Sequence, residues 1–221
     1  AEGGTGYNHC VTMGRSRNIW GPYEKDPNGP VVTSNPVETN ERNNIDHLKP
    51  QYFNPYTTLQ KAGHGSLVDL PNGESYLVHL CARPFVPELR CTLGRETAIQ
   101  KMKWTDDGWL RMTDGTNIAK EYTEESALEE YPVSQIPDFD DFDSDILGSW
   151  YYSPRIMPSC FADINARKGY VRLRGQESRT SLNKVSILAR KLTSTYATVT
   201  TKMEYIPEME DMTPLYFTMI I

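Results

Sequence analysis

Alternating hydrophobic and polar positions predict that this chain is built from strands. The clearest case is residues 59–80, LQKAGHGSLVDLPNGESYLVHL, where two alternating runs flank the tetrapeptide PNGE at residues 71–74. An Asn-Gly pair between such runs is a strong hairpin signal, because both turn positions must accept a positive φ. The pattern therefore predicts a hairpin over residues 66–80.

Shorter alternating runs recur before and after this hairpin. In the first, His9, Val11 and Met13 fall on one face of a predicted strand. The others cover residues 97–104, 109–112, 170–173, 185–192 and 196–205, with a turn at 106–108. Strands of this length separated by turn residues are typical of all-β proteins, so an all-β fold is predicted.

Two stretches lack a hydrophobic period and divide the chain. Residues 25–58 are rich in Pro, Asn and charge, and they predict a long surface loop. Residues 116–137 are acidic and predict a linker, with a short helical turn at 121–130. The predicted organisation is a first β domain over 1–115, this linker, and a second β domain over 138–221, in which Phe139 and Phe142 pack inward.

Composition excludes several classes of protein. The 221 residues carry a formal net charge of −6, so a basic surface that follows phosphates is not expected and nucleic acid is excluded as a partner. No apolar run reaches the roughly 18 residues of a membrane span. The four cysteines, Cys10, Cys81, Cys91 and Cys160, lack metal-ligand spacing and predict buried thiols. A disulfide between Cys81 and Cys91 is the open alternative.

Both ends read as the interior of a longer sequence. The N-terminus opens on AEGGTG without a methionine, and the C-terminus LYFTMII stops within an apolar run. A fragment is therefore expected. Its localisation stays open between cytoplasmic and secreted.

Two residues near the hairpin are the best candidates for a site. His64 lies between two glycines, which allow a ligand or metal to approach the backbone closely. Arg95 could clamp hydroxyls or a carboxylate. Both are predicted to lie just before strands. The alternatives are a structural histidine at a strand entrance and a surface ion pair between Arg95 and Glu96. Thr5, on the Gly-rich turn at the N-terminus, is a weaker candidate that could offer a hydroxyl.

The remaining candidates carry less chemistry. His9, His47 and His79 have no spacing that joins them, and His79 is interpreted as structural. The acidic run at residues 138–145 invites a calcium interpretation, but an EF-hand loop needs Gly at its sixth position and Glu at its twelfth. Counted from Asp141, those positions hold Ile146 and Tyr152. From the residues alone, the chain is a two-part β protein with a polar site near His64 and Arg95.

Four segments resemble glycoside hydrolase family 43, in its β-xylosidase and α-L-arabinofuranosidase group. They are AEGGTGYNHCVTMGRSRNIWGPYE, LQKAGHGSLVDLPNGESYLVHL, RCTLGRETAIQKMKWTDDGWLRM and FDDFDSDILGSWYYSPR. The resemblance implies the last blades of an incomplete five-bladed β-propeller, followed by a partial jelly-roll (concanavalin A-like) β-sandwich. It also implies inverting hydrolysis of β-1,4-xylosyl or α-L-arabinofuranosyl ends of xylo-oligosaccharides or arabinoxylan.

The same resemblance implies a division of roles. The general acid and base are expected upstream of Ala1, so no catalytic residue is assigned within the chain, which is expected to be inactive alone. Thr5, His64 and Arg95 match positions that bind the sugar. No cofactor is required, although some relatives hold calcium beside the matching histidine, so His64 is a candidate ligand. Oligomers could form through the sandwich. The alternative function is a non-catalytic half that binds carbohydrate and pairs with a separate N-terminal half.

Overall fold

The computed structural model describes residues 6–35 and 50–205, which contain almost only strands, turns and loops. Helix within these ranges is limited to 3-10 turns at Pro50–Tyr52 and Pro158–Cys160. The all-β prediction is confirmed. The chain divides into two compact units: the first extends from the N-terminus to Glu129 and takes in the chain from Val199 onward, and the second covers Glu130–Thr198.

Among its described residues, the first unit has eight strands. They are β1 (Cys10–Val11), β2 (Gly14–Arg15), β3 (Glu24–Lys25), β4 (Val32–Thr33), β5 (Gln60–Asp69), β6 (Ser75–Ala82), β7 (Glu96–Trp104) and β8 (Leu110–Met112). The last four pair in sequence order as one antiparallel sheet, while β1 pairs with β4 and β2 with β3. Strands that neighbour each other in sequence and in space need only short turns, which the sequence supplies.

The predicted hairpin is confirmed and is longer than its central pattern indicated. β5 and β6 pair from Asp69 opposite Ser75 back to Gln60 opposite Ala82. Gly73 has a φ of 87°, and the Leu70 amide donates to the Glu74 carbonyl at 2.8 Å. The runs predicted at residues 97–104 and 109–112 are confirmed as β7 and β8.

The predictions before the hairpin were partly wrong. The run at residues 9–14 is divided between β1 and β2, with Thr12 and Met13 outside both. The predicted surface loop at 25–58 contains β4, whose two residues are fully or almost fully buried. A two-residue strand is too short to show a period, so the alternation test could not find it. Residues 36–49 of that loop lie outside the described residues.

The core of the first unit lies on one face of the four-stranded sheet. Leu77 of β6, Met102 of β7 and Met112 of β8 pack with Val32 and Ala62, and each is at most 3% exposed. Burial of an aliphatic side chain of this kind stabilises the folded state by about 1.5–3 kcal/mol. β4 therefore contributes to the same core as the hairpin, although it lies far from it in sequence.

A buried polar network crosses this sheet at His79, which is 1% exposed. Its Nδ1 lies 3.0 Å from the Leu80 carbonyl oxygen, an acceptor, so Nδ1 carries the proton. Its Nε2 accepts from the Gln100 amide at 3.3 Å. Gln100 also donates to the Lys120 carbonyl at 2.9 Å and accepts from the Lys120 amide at 3.4 Å. These two bonds fix the orientation of the Gln100 amide, so His79 is held in its neutral form.

This network predicts acid sensitivity of the fold. Burial lowers the pKa of His79, and the bond to the Leu80 carbonyl opposes that shift only in part. The unfolded chain, with a histidine pKa of about 6.5, therefore binds more protons than the folded chain just below that pH. The contribution of neutral His79 to the free energy of unfolding is fully present above about pH 6.5 and is lost as the pH falls below that value. We expect the urea concentration at the midpoint of unfolding to decrease when the pH is lowered from 7.5 to 5.5.

The control for this prediction is His79→Leu, which removes the titrating group. Its urea midpoint should vary less over the same pH interval than that of the unsubstituted chain. An equal dependence in both proteins would show that His79 does not contribute to the acid sensitivity.

Residues 117–127 attach to the first unit through its sheet. Lys101 of β7 forms ion pairs with Glu74 at 2.8 Å and Glu124 at 3.3 Å. Glu74 also accepts from the Ser126 hydroxyl and the Ala127 amide, both at 3.0 Å. The Lys101 ammonium, followed by the other donors, lowers the pKa of Glu74 to about 2. The limits predicted for the two domains and the linker stay a prediction. Within the predicted linker, residues 124–127 contact Lys101 and Glu74 of the first unit.

The second unit has a smaller sheet. β9 (Ala162–Arg167) pairs with β10 (Tyr170–Leu173) across a turn at Gly169, so the run predicted at 170–173 is confirmed. The runs at 185–192 and 196–205 were wrongly predicted as strands. Residues 185–192 contribute only isolated bridges, one of them between Tyr152 and Ala189. Alternation indicates which side chains could share a face, but a strand also needs a neighbour with which to pair.

The start of the second unit departs from the prediction at one aromatic residue. Phe142, with a φ of 57°, is half-buried and its ring lies 5.9 Å from that of Tyr151. Phe139 was predicted to pack inward, but it is 78% exposed. A short helical turn was predicted at residues 121–130, but these residues form bends and irregular structure without a helix.

All four cysteines are free thiols, so the alternative disulfide between Cys81 and Cys91 is not formed. The prediction of buried thiols holds for Cys81, whereas Cys160 is exposed. Burial raises the pKa of Cys81 to about 11, which keeps its thiol protonated and unreactive. In the part of the chain that the structure describes, no helix is long and apolar enough to cross a membrane.

Candidate functional site

Strand β5 is irregular where it carries His64. Gln60, Gly63 and Ser66 lie opposite Ala82, Leu80 and Val78, so β5 has one extra residue in each interval. Such bulges redirect side chains out of the regular alternation of a strand. They coincide with positive φ values, 56° at Lys61 and 54° at His64, which are uncommon for residues other than glycine. His64 therefore lies within a strand, not before one as predicted, and its side chain is exposed.

His9 lies directly behind this bulge and is 1% exposed. Its Nδ1 is 3.0 Å from the Lys61 carbonyl oxygen. A Cβ atom on Gly63 would come within 2.5 Å of the His9 ring, closer than side chains tolerate. Glycine at position 63 is thus required by close approach of the imidazole.

Arg95 immediately precedes β7 and is exposed. Because Gly63 pairs with Leu80 and Leu80 pairs with Thr97, these three residues form one row across the sheet. Neighbouring strands are about 4.8 Å apart, so β5 and β7 are separated by roughly 10 Å. His64 and Arg95 consequently lie at the same end of the sheet.

The alternative for Arg95 was an ion pair with Glu96, but Glu96 pairs with Arg83. Glu96 accepts from the Arg83 guanidinium, with its closest approach at 2.6 Å. An arginine fork that binds both carboxylate oxygens fixes that carboxylate firmly. Glu96 is therefore engaged by another arginine.

Electrostatics connect the three residues. Burial lowers the pKa of His9, the bond to Lys61 opposes the shift, and the positive charges of Arg95 and then His64 add to it. His9 is consequently neutral, and both exposed side chains lie within electrostatic range of its ring. The sequence did not single out His9, because its partners are more than fifty positions away. Thr5, the third predicted site residue, lies outside the described residues.

The loop that leads to Arg95 is braced by Tyr7. The Tyr7 hydroxyl donates to the Leu89 carbonyl at 3.3 Å, and the Lys61 ammonium lies 4.6 Å from the centre of its ring. Burial, with a smaller contribution from Cys91, raises the pKa of Tyr7 to about 12, so the hydroxyl stays protonated and can donate. One side chain thus touches both the β5 bulge and the segment before Arg95.

Two family models account for most of the chain. Residues 1–110 match the model of the glycosyl hydrolases family 43. Residues 139–213 match the β-xylosidase C-terminal concanavalin A-like domain. The chain belongs to glycosyl hydrolase family 43.

Individual family 43 relatives agree with this assignment. A xylosidase/arabinosidase from Humicola insolens is 50% identical over 115 residues, which are 52% of this chain and 18% of the relative. A β-xylosidase from Bacillus subtilis is 34% identical over 217 residues, or 94% of this chain and 37% of the relative. The chain therefore spans well under half of the length of these relatives.

A solved family 43 structure supports the fold. The xylan β-1,4-xylosidase from Bacillus halodurans is 45% identical, with a TM-score of 0.74 over 88% of this chain and 34% of that one. Together with the concanavalin A-like match, this confirms the predicted architecture of propeller blades followed by part of a jelly-roll sandwich. The family 43 match, which ends at residue 110, lies within the range of the first unit.

The site of this family 43 chain is suited to binding. Arg95 offers exposed guanidinium donors, and His64 offers an exposed imidazole. Hydroxyl-rich ligands match such donors. The roles predicted for Thr5, His64 and Arg95 stay predictions, because proximity in the fold does not test binding.

Calcium does not find a ligand set among the described residues. They contain no group of three or more His, Cys, Asp or Glu side chains that could hold a metal. Calcium prefers oxygen ligands, whereas His64 offers nitrogen. These observations add no support for His64 as a calcium ligand. That role stays a prediction, and no step is assigned to a metal.

Proposed function

We propose that this chain supplies the sugar-binding wall of an inverting exo-glycosidase. Its substrates would be xylo-oligosaccharides or arabinoxylan fragments, from which it removes β-1,4-xylosyl or α-L-arabinofuranosyl ends. The observation that carries the proposal is the grouping of His64 and Arg95 at one end of the propeller sheet, in front of buried His9. The family 43 match and the names of the relatives support the substrate class.

In this proposal Arg95 donates to sugar hydroxyls and His64 contacts the same terminal sugar. A hydrogen bond to a charged group contributes about 1.5–3 kcal/mol, which corresponds to roughly 10- to 150-fold in affinity. Loss of Arg95 should therefore weaken sugar binding by at least about tenfold. A guanidinium only donates hydrogen bonds, so the role of Arg95 is to orient the sugar.

Proton transfer is assigned to carboxyl groups outside this wall. Inverting hydrolysis needs an acid and a base about 6.5–9.5 Å apart, and the acid needs a raised pKa. Three carboxylates of the first unit are engaged otherwise: Glu74 has its pKa lowered to about 2 by Lys101, Asp26 is bound by Arg111, and Glu96 is bound by Arg83. A carboxyl group with a pKa as low as that of Glu74 is a poor proton donor near neutral pH.

The experiment is a pair of assays on the purified chain. We expect no hydrolysis of a nitrophenyl β-xyloside, and saturable binding of xylobiose by calorimetry that Arg95→Ala weakens at least tenfold. Glu24→Gln, which removes an exposed ion pair with Arg15, is the control and should bind as the unsubstituted chain does. Turnover that His64→Ala or Arg95→Ala abolishes would contradict the assignment of the acid and base elsewhere.

The alternative is a non-catalytic half that binds carbohydrate and pairs with a separate N-terminal half. It shares the binding result and differs in assembly. Light scattering separates the two: a chain that is a stable monomer counts against pairing. The same measurement tests oligomers formed through the sandwich.

A further inference from the structure

We propose that His9 is the positioning residue that holds the β5 bulge so that His64 faces the sugar site. This inference rests on the proposed function of the wall, and it adds a residue that does not itself touch sugar. His9 lies on the buried side of β5, whereas His64 is exposed. The two imidazoles therefore have different tasks, one in the core and one at the surface.

The bulge needs a support because its backbone is unfavourable by itself. Lys61 and His64 both have a Cβ atom and both adopt a left-handed φ, at 56° and 54°. Residues held in this region persist only where the surrounding structure determines them. β6 cannot do so alone, because its pairing with β5 is interrupted on both sides of Gly63.

His9 supplies two contacts at the required place. Its Nδ1 is 3.0 Å from the Lys61 carbonyl oxygen, which fixes the peptide that follows the first left-handed residue. The Cγ, Cδ2 and Nδ1 atoms of its ring lie 2.5–2.6 Å from the point that a Cβ on Gly63 would occupy, so the ring face covers Gly63. The residue immediately before His64 is thereby held from behind.

The first unit in turn anchors His9. Its amide donates to the Gly6 carbonyl at 3.2 Å, and its own carbonyl accepts from the Thr33 hydroxyl at 3.4 Å. Thr33 belongs to β4, which contributes to the core. A substitution at His9 is therefore expected to alter the backbone of the bulge and, through it, the position of His64 at the surface.

The Lys61 carbonyl can only accept, so the geometry requires that Nδ1 of His9 carries the proton. This is measurable in the unsubstituted chain by ¹⁵N NMR, and it does not depend on any variant folding. The chain has four histidines, which keeps the spectrum tractable. We expect the Nδ1–H tautomer for His9. The Nε2–H tautomer would overturn the proposal.

Two substitutions separate donation from ring shape. His9→Asn keeps a donor at the position of Nδ1 and atoms over Gly63, so it should leave the backbone chemical shifts of His64 close to their original values. His9→Phe keeps a ring but cannot donate, so the His64 shifts should lose their left-handed signature. In xylobiose binding, His9→Phe should raise Kd at least tenfold and His9→Asn less than threefold.

His79→Asn is the matched control, because His79 is also buried and also bonds a backbone carbonyl through Nδ1. It should leave the His64 shifts unchanged. Unaltered His64 shifts in folded His9→Phe would overturn the proposal, as would equal changes in His9→Asn. If His64 responds as expected but no protein binds xylobiose, the positioning role stands and the proposed sugar-binding function fails.

Discussion

Gly63→Ala is expected to lower the free energy of unfolding by roughly 1–3 kcal/mol or more, the range for overpacking a well-packed core. The new Cβ would lie 2.5 Å from the His9 ring. His9 is buried and bonded to Lys61, so it cannot move aside without breaking that bond. The measurement is urea unfolding followed by tryptophan fluorescence, since Trp109 of the first unit is buried.

Two other glycines serve as controls for this substitution. Gly14 has an ordinary contact, with the Glu24 carbonyl 3.5 Å from an added Cβ. Gly65 is intermediate, because its nearest neighbours are side-chain carbons of Leu77 and Val11 at 3.0 Å. The expected order of damage is therefore position 63, then 65, then 14. Equal stability of the first and last variants would contradict the close packing of His9 on Gly63.

Asp26→Asn is the second substitution with a large expected effect. The Asp26 carboxylate is 1% exposed and accepts from both terminal nitrogens of Arg111, at 2.5 and 2.7 Å. An amide would place a donor against one of those nitrogens. Removing one partner of a buried pair costs about 3–5 kcal/mol. Since the Arg111 side chain is 19% exposed, a loss near the lower end of that range, about 3 kcal/mol, is expected by urea unfolding.

The exposed pair of Arg15 and Glu24 is the comparison for the buried one. Its side chains are 35% and 61% exposed, so Glu24→Gln should cost at most about 1 kcal/mol. Combining Asp26→Asn with Arg111→Met removes the unpaired charge and should recover part of the loss. A double variant no more stable than Asp26→Asn would show that the cost has another origin.

The central part of the fold could be predicted because its strands are neighbours in sequence. β5 to β8 form a meander whose alternation and turn residues, including Gly73 and Gly108, are both local signals. β4 was missed because a two-residue strand has no period. The runs at 185–192 and 196–205 alternate without forming strands, since pairing depends on a partner that the run itself does not specify.

Single site residues were also hard to predict where their role depends on partners distant in sequence. His64 and Arg95 stood out through neighbours in sequence, the flanking glycines and a carboxylate. His9 did not, because its role comes from contacts with Lys61 and Gly63 more than fifty positions away. The glycine that it requires was visible in the sequence, but the reason for that glycine was visible only in the fold.

The most direct test of the sugar-binding wall is a xylobiose titration of the ¹⁵N-labelled chain followed by NMR. We expect saturable shifts of the His64 imidazole and Arg95 guanidinium signals, with the His79 signals unchanged and with binding weakened at least about tenfold by Arg95→Ala. Signals of His64 and Arg95 that stay in place at saturating xylobiose, or that respond equally to maltose, would contradict it.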